Sequence, residues 1–324
     1  MPRILISDGM ADEAIRELEG FGHEVVEKHY SQDELLTGVL NNYDAIVVRS
    51  ATKLNEKVLS TIDVDNGIKF IGRAGVGVDN IDIKEATKKE IIVCNTPQSS
   101  TQSVVELTIG HLISSTRHIV KGDRKLRENI WAKKELRGTE LAGKNLGLIG
   151  FGRIAQGVSK VASAIGMRVH CFDPFLNKEI ANANNCIIHT NVDDVFKNCT
   201  HISIHCNLNE HTYHLVNEER INMMPVYGND GNKCGRHIVN CARGGIVDED
   251  AIYNALKNGD LSSAALDVYE KEPLEKSKLL ELEDFHGSPH IGASTIEAQN
   301  RIGNEMVVLL KDFFDAKRPH SALN

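Results

Sequence analysis

Leu146-Gly147-Leu148-Ile149-Gly150-Phe151-Gly152-Arg153-Ile154-Ala155 is the stretch that decides the fold. An apolar strand runs into a Gly-x-Gly-x-x-Ala bend and then into a helical pattern that reaches Ile165. Such a bend needs a residue without a Cβ where the chain turns (Gly150). It needs a second where backbone must approach a ligand (Gly152), and a small residue where helix meets strand (Ala155). The first N–H groups of the helix, around Arg153 and Ile154, have no partner inside it and form a site for a pyrophosphate. Asp173 follows about 20 residues on, at the end of the next β-rich run, where a carboxylate accepts both hydroxyls of a ribose. It would repel a 2′-phosphate, and no arginine follows it in Asp173-Pro174-Phe175. The expected cofactor is therefore NAD.

Outward from the bend, short β-rich runs alternate with helical patterns in both directions, the rhythm of parallel α/β architecture. Before it come the strand-like Arg3–Ile6, Glu24–Glu27, Ala45–Val48, Phe70–Ile71 and Ile92–Cys94, with helix-like Ala11–Leu18, Gln32–Leu40 and Glu56–Ile62 between them. A stretch without proline from Ser103 to Asn129 predicts one extended helix. After it the rhythm restarts with Leu146–Ile149, Arg168–Phe172, His201–His205, His237–Val239 and Ala264–Val268, so two α/β units are expected. The tail, Thr295–Ala316, is apolar at helical spacing and must dock on one unit, but its pattern does not say which. Pro225–Gly235 reads as a loop-like insertion.

The composition excludes several classes. A chain of 324 residues with 41% hydrophobic and 25% charged residues is an ordinary globular one. No run approaches the roughly 18 consecutive apolar residues of a membrane helix, so no membrane partner is expected. A net charge of −8 gives no basic field for nucleic acid. The seven cysteines include no Cys-x-x-Cys pair, and the first residues enter a strand without a signal-peptide pattern. Both features point to a reduced, cytoplasmic protein.

Three residues downstream have no packing rationale: Arg243, Glu272 and His290. Each follows a β-rich run or flanks Gly or Pro, which in an open α/β sheet marks the strand ends where ligands bind. Oxidising a secondary alcohol needs a base for the hydroxyl proton as hydride leaves carbon, and His290 suits that task. A carboxylate on its other nitrogen, Glu272, would favour the imidazolium and fix the tautomer. The planar fork of Arg243 would hold a substrate carboxylate. The alternative is a metal site among His201, His205, His211 and His214. On one strand the first two would lie about 13 Å apart at roughly 3.3 Å per residue, too far for one ion, and no metal is expected.

With these residues in place, the chain resembles the D-isomer-specific 2-hydroxyacid dehydrogenases, and within them the D-3-phosphoglycerate dehydrogenase branch. The matching stretches are Val47–Thr52, Gly72–Asn80, Gly138–Leu141, the glycine bend, Asn240–Asp248 and Ala265–Val268. The resemblance implies a flavodoxin-like substrate domain (1–98 plus 292–324) and a Rossmann NAD-binding domain (99–291), with the site in the cleft and a homodimer built on the long helix. It implies that Arg243, Glu272 and His290 are catalytic. The backbone at Val76 and Gly77 would bind the substrate carboxylate, with Ser50 and Asn95 lining the cleft. Cys206, Asn207 and Cys241 would lie along the cofactor, and Asp267 would meet the nicotinamide carboxamide. Arg49 and Arg73 could neutralise a terminal phosphate, which favours 3-phosphoglycerate, oxidised to 3-phosphohydroxypyruvate in serine biosynthesis.

Three features depart from the family's pattern. Val76 replaces a hydroxyl residue, Cys206-Asn207 stands where a proline is usual, and the chain stops near the tail helix, so no serine feedback through a regulatory domain is expected. Two other readings compete: a glyoxylate or hydroxypyruvate reductase with the same chemistry, and a non-enzymatic NAD-sensing protein like the corepressors of this fold. Turnover of a small hydroxy or keto acid separates the enzymes from the sensor.

Overall fold

The computed structural model describes residues 1–324, which divide into two compact units: Met1–Ser100 with Ala293–Asn324 (unit 1), and Thr101–Gly292 (unit 2). No helix is long and apolar enough to cross a membrane.

Unit 1 opens with β1 (Arg3–Ile6), α1 (Asp12–Gly20), β2 (Glu24–Glu27), α2 (Gln32–Leu35), β3 (Ala45–Val48), α3 (Glu56–Ser60), β4 (Phe70–Arg73), α4 (Ile83–Lys88) and β5 (Ile92–Asn95). The strands are all parallel in the order β2-β1-β3-β4-β5, the flavodoxin-like arrangement. Period-two side chains split the core between the two faces. Leu5, Ile46, Val48, Ile71 and Val93 pack on one side, while Ile4, Ile6, Ala45, Val47 and Phe70 pack on the other.

Unit 2 holds α5 (Thr101–Arg117), α6 (Ile119–Arg127), β6 (Asn145–Ile149), α7 (Arg153–Ala164), β7 (Arg168–Phe172), α8 (Lys178–Ala183), β8 (Ile187–Ile188), α9 (Val192–Asn198), β9 (His201–Ile204), α10 (Glu218–Met223), β10 (His237–Asn240), α11 (Glu249–Asn258), β11 (Ser263–Leu266) and β12 (Phe285–Gly287). Its seven parallel strands run β12-β11-β10-β9-β6-β7-β8. The order reverses at β6, which places the glycine bend at the switch point where ligands bind in such sheets. Both expected sheet architectures are present.

The last helix, α12 (Ile296–Phe314), returns to unit 1. Its Ile302, Met306, Leu309 and Leu310 complete the core face formed by Ile4, Val47 and Phe70. Gly303 lies so close to α1 that a Cβ would stand 2.8 Å from that of Ala14. This docking answers the question the apolar stripe left open.

Two expected helices are broken. The 103–129 stretch is α5 and α6, parted at His118, whose φ is 52°. The N–H of Thr139 takes the Thr116 carbonyl, and Gly138 lies against that same oxygen with no room for a Cβ. An acceptor near the end of α5 thus bonds outside the helix. The Gln32–Leu40 pattern stops at Leu35, and Gly38, at φ 79°, turns the chain into a short 3-10 helix, Val39–Asn42.

The Pro225–Gly235 insertion forms a small antiparallel hairpin with Tyr227 opposite Lys233. Its Asp230 Oδ2 lies 2.5 Å from Nζ of Lys144, whose side chain is only 2% exposed. The insertion therefore neutralises a buried ammonium at the amino end of β6, the end remote from the glycine bend.

Candidate active site

At the carboxyl end of β6 the chain turns at Gly150 with φ 87°. A Cβ there would stand 2.8 Å from the backbone of His205 and Cys206, so both conformation and space require glycine. Gly152 differs: its φ is −71° and a Cβ would meet nothing within 4 Å. The fold itself does not need glycine at 152, and a dinucleotide phosphate approaching the backbone would supply the reason. Arg153 and Ile154 open α7, with Arg153 exposed and Ile154 half-buried, and Ala155 is fully buried against the sheet.

Asp173 closes the bend. Its Oδ2 accepts from Phe151 N at 2.8 Å and its Oδ1 from Phe175 N at 2.8 Å. Each carboxylate oxygen keeps a second lone pair for a ribose hydroxyl. Phe175, 93% exposed beside it, was not singled out from the sequence. Cys206 is half-buried and Asn207 exposed in the loop after β9. Burial pushes the Cys206 thiol up to about 11 and the Cys241 thiol up to about 12, so neither is a reactive thiolate. These residues fit the group the bend implies, with Gly152 as the cradle that a Cβ would fill.

The three catalytic candidates sit on loops after β10, β11 and β12. His290 Nδ1 lies 2.6 Å from Glu272 Oε2, and Glu272 Oε1 accepts from Tyr269 N at 3.0 Å. Burial opposes ionisation of Glu272. The hydrogen bond and charge of His290, the Tyr269 N–H and the Arg243 charge outweigh it and hold the carboxyl below its ordinary range. Arg243 is carried to this neighbourhood by Gly244, which rests on the Tyr269 carbonyl with no room for a Cβ. Its Nη1 donates to Ala242 O at 2.6 Å. His290 itself has a φ of 52°, a conformation that a side-chain-bearing residue adopts only when its surroundings impose it.

Asp267 is 1% exposed. Its Oδ1 accepts from Ser288 Oγ at 2.6 Å and Ile291 N at 2.8 Å, and its Oδ2 from Gly292 N at 2.9 Å. In this chain its carboxylate turns inward to hold the His290 loop.

In unit 1 the expected substrate residues also gather at strand carboxyl ends. The Arg49–Thr52 loop is held by Asp8, which accepts from Arg49 N at 2.7 Å and Thr52 N at 3.0 Å. Asn80 donates to the Arg49 and Thr52 carbonyls at 2.7 Å each. Ser50 is exposed at its tip. Asp8 and Asn80 escaped the sequence reading, because a buried aspartate that organises a distant loop leaves no local pattern. Asn95 donates to Val76 O at 2.7 Å, joining the β4 and β5 ends. Val76 and Gly77 are half-buried. Arg73 folds back over Gly75, where a Cβ would collide with its guanidinium.

The histidines do not form the cluster weighed above. His201 is buried and stacks on His237 with centroids 4.5 Å apart, His205 pairs with Ser203 at 2.9 Å, and His211 is exposed. His214 instead joins Asp248 and Glu270, with donor atoms within 4.8 Å of one another. Its ring bridges the two carboxylates, Nε2 lying 3.0 Å from Glu270 and Nδ1 3.6 Å from Asp248.

Comparison with known proteins identifies the family and the fold. Residues 109–292 match the family described as D-isomer specific 2-hydroxyacid dehydrogenase, NAD binding domain. The chain is 40% identical over 324 residues to D-3-phosphoglycerate dehydrogenase of Methanocaldococcus jannaschii, covering all of this chain and 60% of that protein. It is 41% identical over 309 residues to hydroxypyruvate reductase of Thermotoga maritima, covering 94% of this chain and 96% of the relative. The crystal structure of Aquifex aeolicus D-lactate dehydrogenase complexed with NAD and lactic acid superposes with a TM-score of 0.83 at 26% identity, covering 97% of this chain and 96% of that one. The chain belongs to the D-isomer specific 2-hydroxyacid dehydrogenases, a family of NAD-dependent oxidoreductases, and most of unit 2 is matched by their NAD-binding domain.

Proposed function

We propose that this protein interconverts D-3-phosphoglycerate and 3-phosphohydroxypyruvate with NAD, the oxidation that leads toward serine. The observation that carries the reading is the histidine whose Nδ1 is held by a carboxylate at 2.6 Å, with the Arg243 charge near enough to help keep that carboxylate ionised. Holding Nδ1 leaves Nε2 of His290 to take the C2 hydroxyl proton in oxidation and return it in reduction. Ionised Glu272 stabilises the imidazolium formed when that proton arrives. Arg243 receives the substrate carboxylate through two parallel N–H groups and polarises the C2 oxygen. When bound, NAD supplies the hydride acceptor. Gly152, the first turn of α7 and Asp173 are the residues that would hold it.

In this reading Arg49 and Arg73 receive the phosphate, and the Val76–Gly77 backbone with Ser50 and Asn95 positions the carboxylate end. Curated relatives named D-3-phosphoglycerate dehydrogenase, 35–40% identical across the whole chain, support that substrate. The Thermotoga maritima relative favours a second reading, a hydroxypyruvate reductase without a phosphate site, because it matches over nearly its full length. The test is turnover followed at the absorbance of the reduced nicotinamide. NAD reduction by D-3-phosphoglycerate is expected. Reduction of hydroxypyruvate or glyoxylate alone would replace the first reading with the second.

The proposal includes a homodimer. Ile119, Leu126, Ile130 and Trp131 are 54%, 57%, 42% and 78% exposed on and just beyond α6, an apolar surface of the kind that subunit interfaces cover. Light scattering at micromolar concentration should give twice the chain mass, and a single-chain mass would remove the dimer from the account.

A further inference from the structure

We propose that His111, buried on α5, is a positioning residue for the reaction: by holding Ser288 it fixes the carboxylate of Asp267, and through it the loop that presents His290. The inference rests on the reading of His290 as the base.

His111 is 7% exposed and its Nε2 lies 3.0 Å from Ser288 Oγ. The Ser288 hydroxyl has one proton, and at 2.6 Å that proton goes to Asp267 Oδ1. His111 must then be the donor, so its ring carries hydrogen on Nε2. Burial favours the neutral ring, against the weaker opposing pull of the Asp267 charge, and in the neutral ring the hydrogen on Nε2 is the only one. The ring is steadied by His286, whose centroid is 5.2 Å away.

Asp267 passes this constraint on. Its two oxygens take the N–H groups of Ile291 and Gly292, and its own carbonyl takes the N–H of His290 at 2.9 Å. One aspartate thus fixes three consecutive residues, the first of them at φ 52°. Packing contributes little at the tip, because Ile291 is 41% exposed. Gly292 also lies against Val104, with a Cβ position 3.3 Å from its side chain, so α5 meets the loop at two points. Without the His111 donor, Ser288 can rotate away from Asp267. The left-handed turn at His290 then loses part of what imposes it, and a displacement of about 1 Å at a catalytic group costs up to about 100-fold in rate.

The test compares His111→Leu, His111→Gln and Ser288→Ala with the wild type by steady-state kinetics, NAD affinity and amide hydrogen exchange. For His111→Leu we expect kcat to fall about 10- to 100-fold and NAD affinity to stay within about twofold. Exchange at Ile291 and Gly292 should be faster by at least about tenfold, the worth of roughly one hydrogen bond. Ser288→Ala should show the same exchange. His111→Gln, which restores an N–H near the Nε2 position, should recover most of the rate and the protection. Wild-type exchange at those two amides in both His111→Leu and Ser288→Ala, or a glutamine variant no better than leucine, would overturn the proposal. If His111→Leu does not fold, Ser288→Ala decides alone: wild-type exchange there overturns the proposal and faster exchange supports it. A wild-type protein that turns over no hydroxy or keto acid would instead overturn the functional reading, while the exchange data still decide whether His111 holds the loop.

Discussion

Nδ1 of His290 and Oε2 of Glu272 lie 2.6 Å apart, although the residues stand 18 positions apart in the chain on loops after different strands. The contact commits one ring nitrogen and, in the proposed reaction, leaves the other for proton transfer. It also ties the ionisation of Glu272 to the folded state.

Glu272→Gln tests that tie. The folded carboxyl titrates below its ordinary 4.5, so its contribution to stability is present above that pH and is lost as pH falls through the folded value. The glutamine variant should be less stable than wild type near neutrality by no more than about 1 kcal/mol, since the side chain is 30% exposed. Urea unfolding at a series of pH values should show the difference shrinking below 4.5. A difference that grows on acidification would mean the carboxyl is not held ionised.

The two glycines of the bend should separate cleanly. Gly150→Ala forces a Cβ onto φ 87° and against the His205 backbone and should cost about 1–3 kcal/mol of stability. Gly152→Ala has open space and an ordinary φ, so its melting temperature should match wild type while its affinity for NAD falls by about tenfold or more. Unchanged NAD affinity in Gly152→Ala would remove the pyrophosphate from the bend.

The hairpin charge makes a separate prediction. The Lys144 hydrogen bond, followed by Asn232, holds the Asp230 carboxyl down at about 2, from an ordinary 3.8. Its stabilisation is therefore complete above 3.8 and fades as pH falls through about 2. Asp230→Asn leaves a buried ammonium without its anion and should lower the urea midpoint at neutral pH. The gap to wild type should close toward the acid limit. Equal midpoints at neutrality would show that Lys144 finds another partner.

Substrate choice is tested by Arg49→Ala and Arg73→Ala. Each should raise KM for phosphoglycerate at least about tenfold, the worth of a charge-assisted bond to phosphate, and leave glyoxylate reduction near wild type. Equal losses on both substrates would end the phosphate assignment.

Much of this architecture was legible in the chain because it is written in local patterns. The apolar run Leu146–Ile149, the Gly150 turn and the helix after it follow from side-chain periodicity and from what a Cβ would strike. Arg243, Glu272 and His290 stood out as polar groups beside glycine and proline at strand ends. What was illegible depends on distant partners. The break at His118 comes from Gly138 and Thr139 closing on Thr116, and the place of α12 depends on Ala14 and Phe70, far away in sequence. The resemblance points Asp267 toward the cofactor, and the loop it also holds shows only in the positions of Ser288, Ile291 and Gly292.

The most direct test of the central claim is His290→Ala, assayed for NAD binding and for turnover of D-3-phosphoglycerate in the same preparation. NAD affinity should match wild type, with turnover reduced by about a thousandfold, the scale of a lost general base. Turnover within a few-fold of wild type would contradict it.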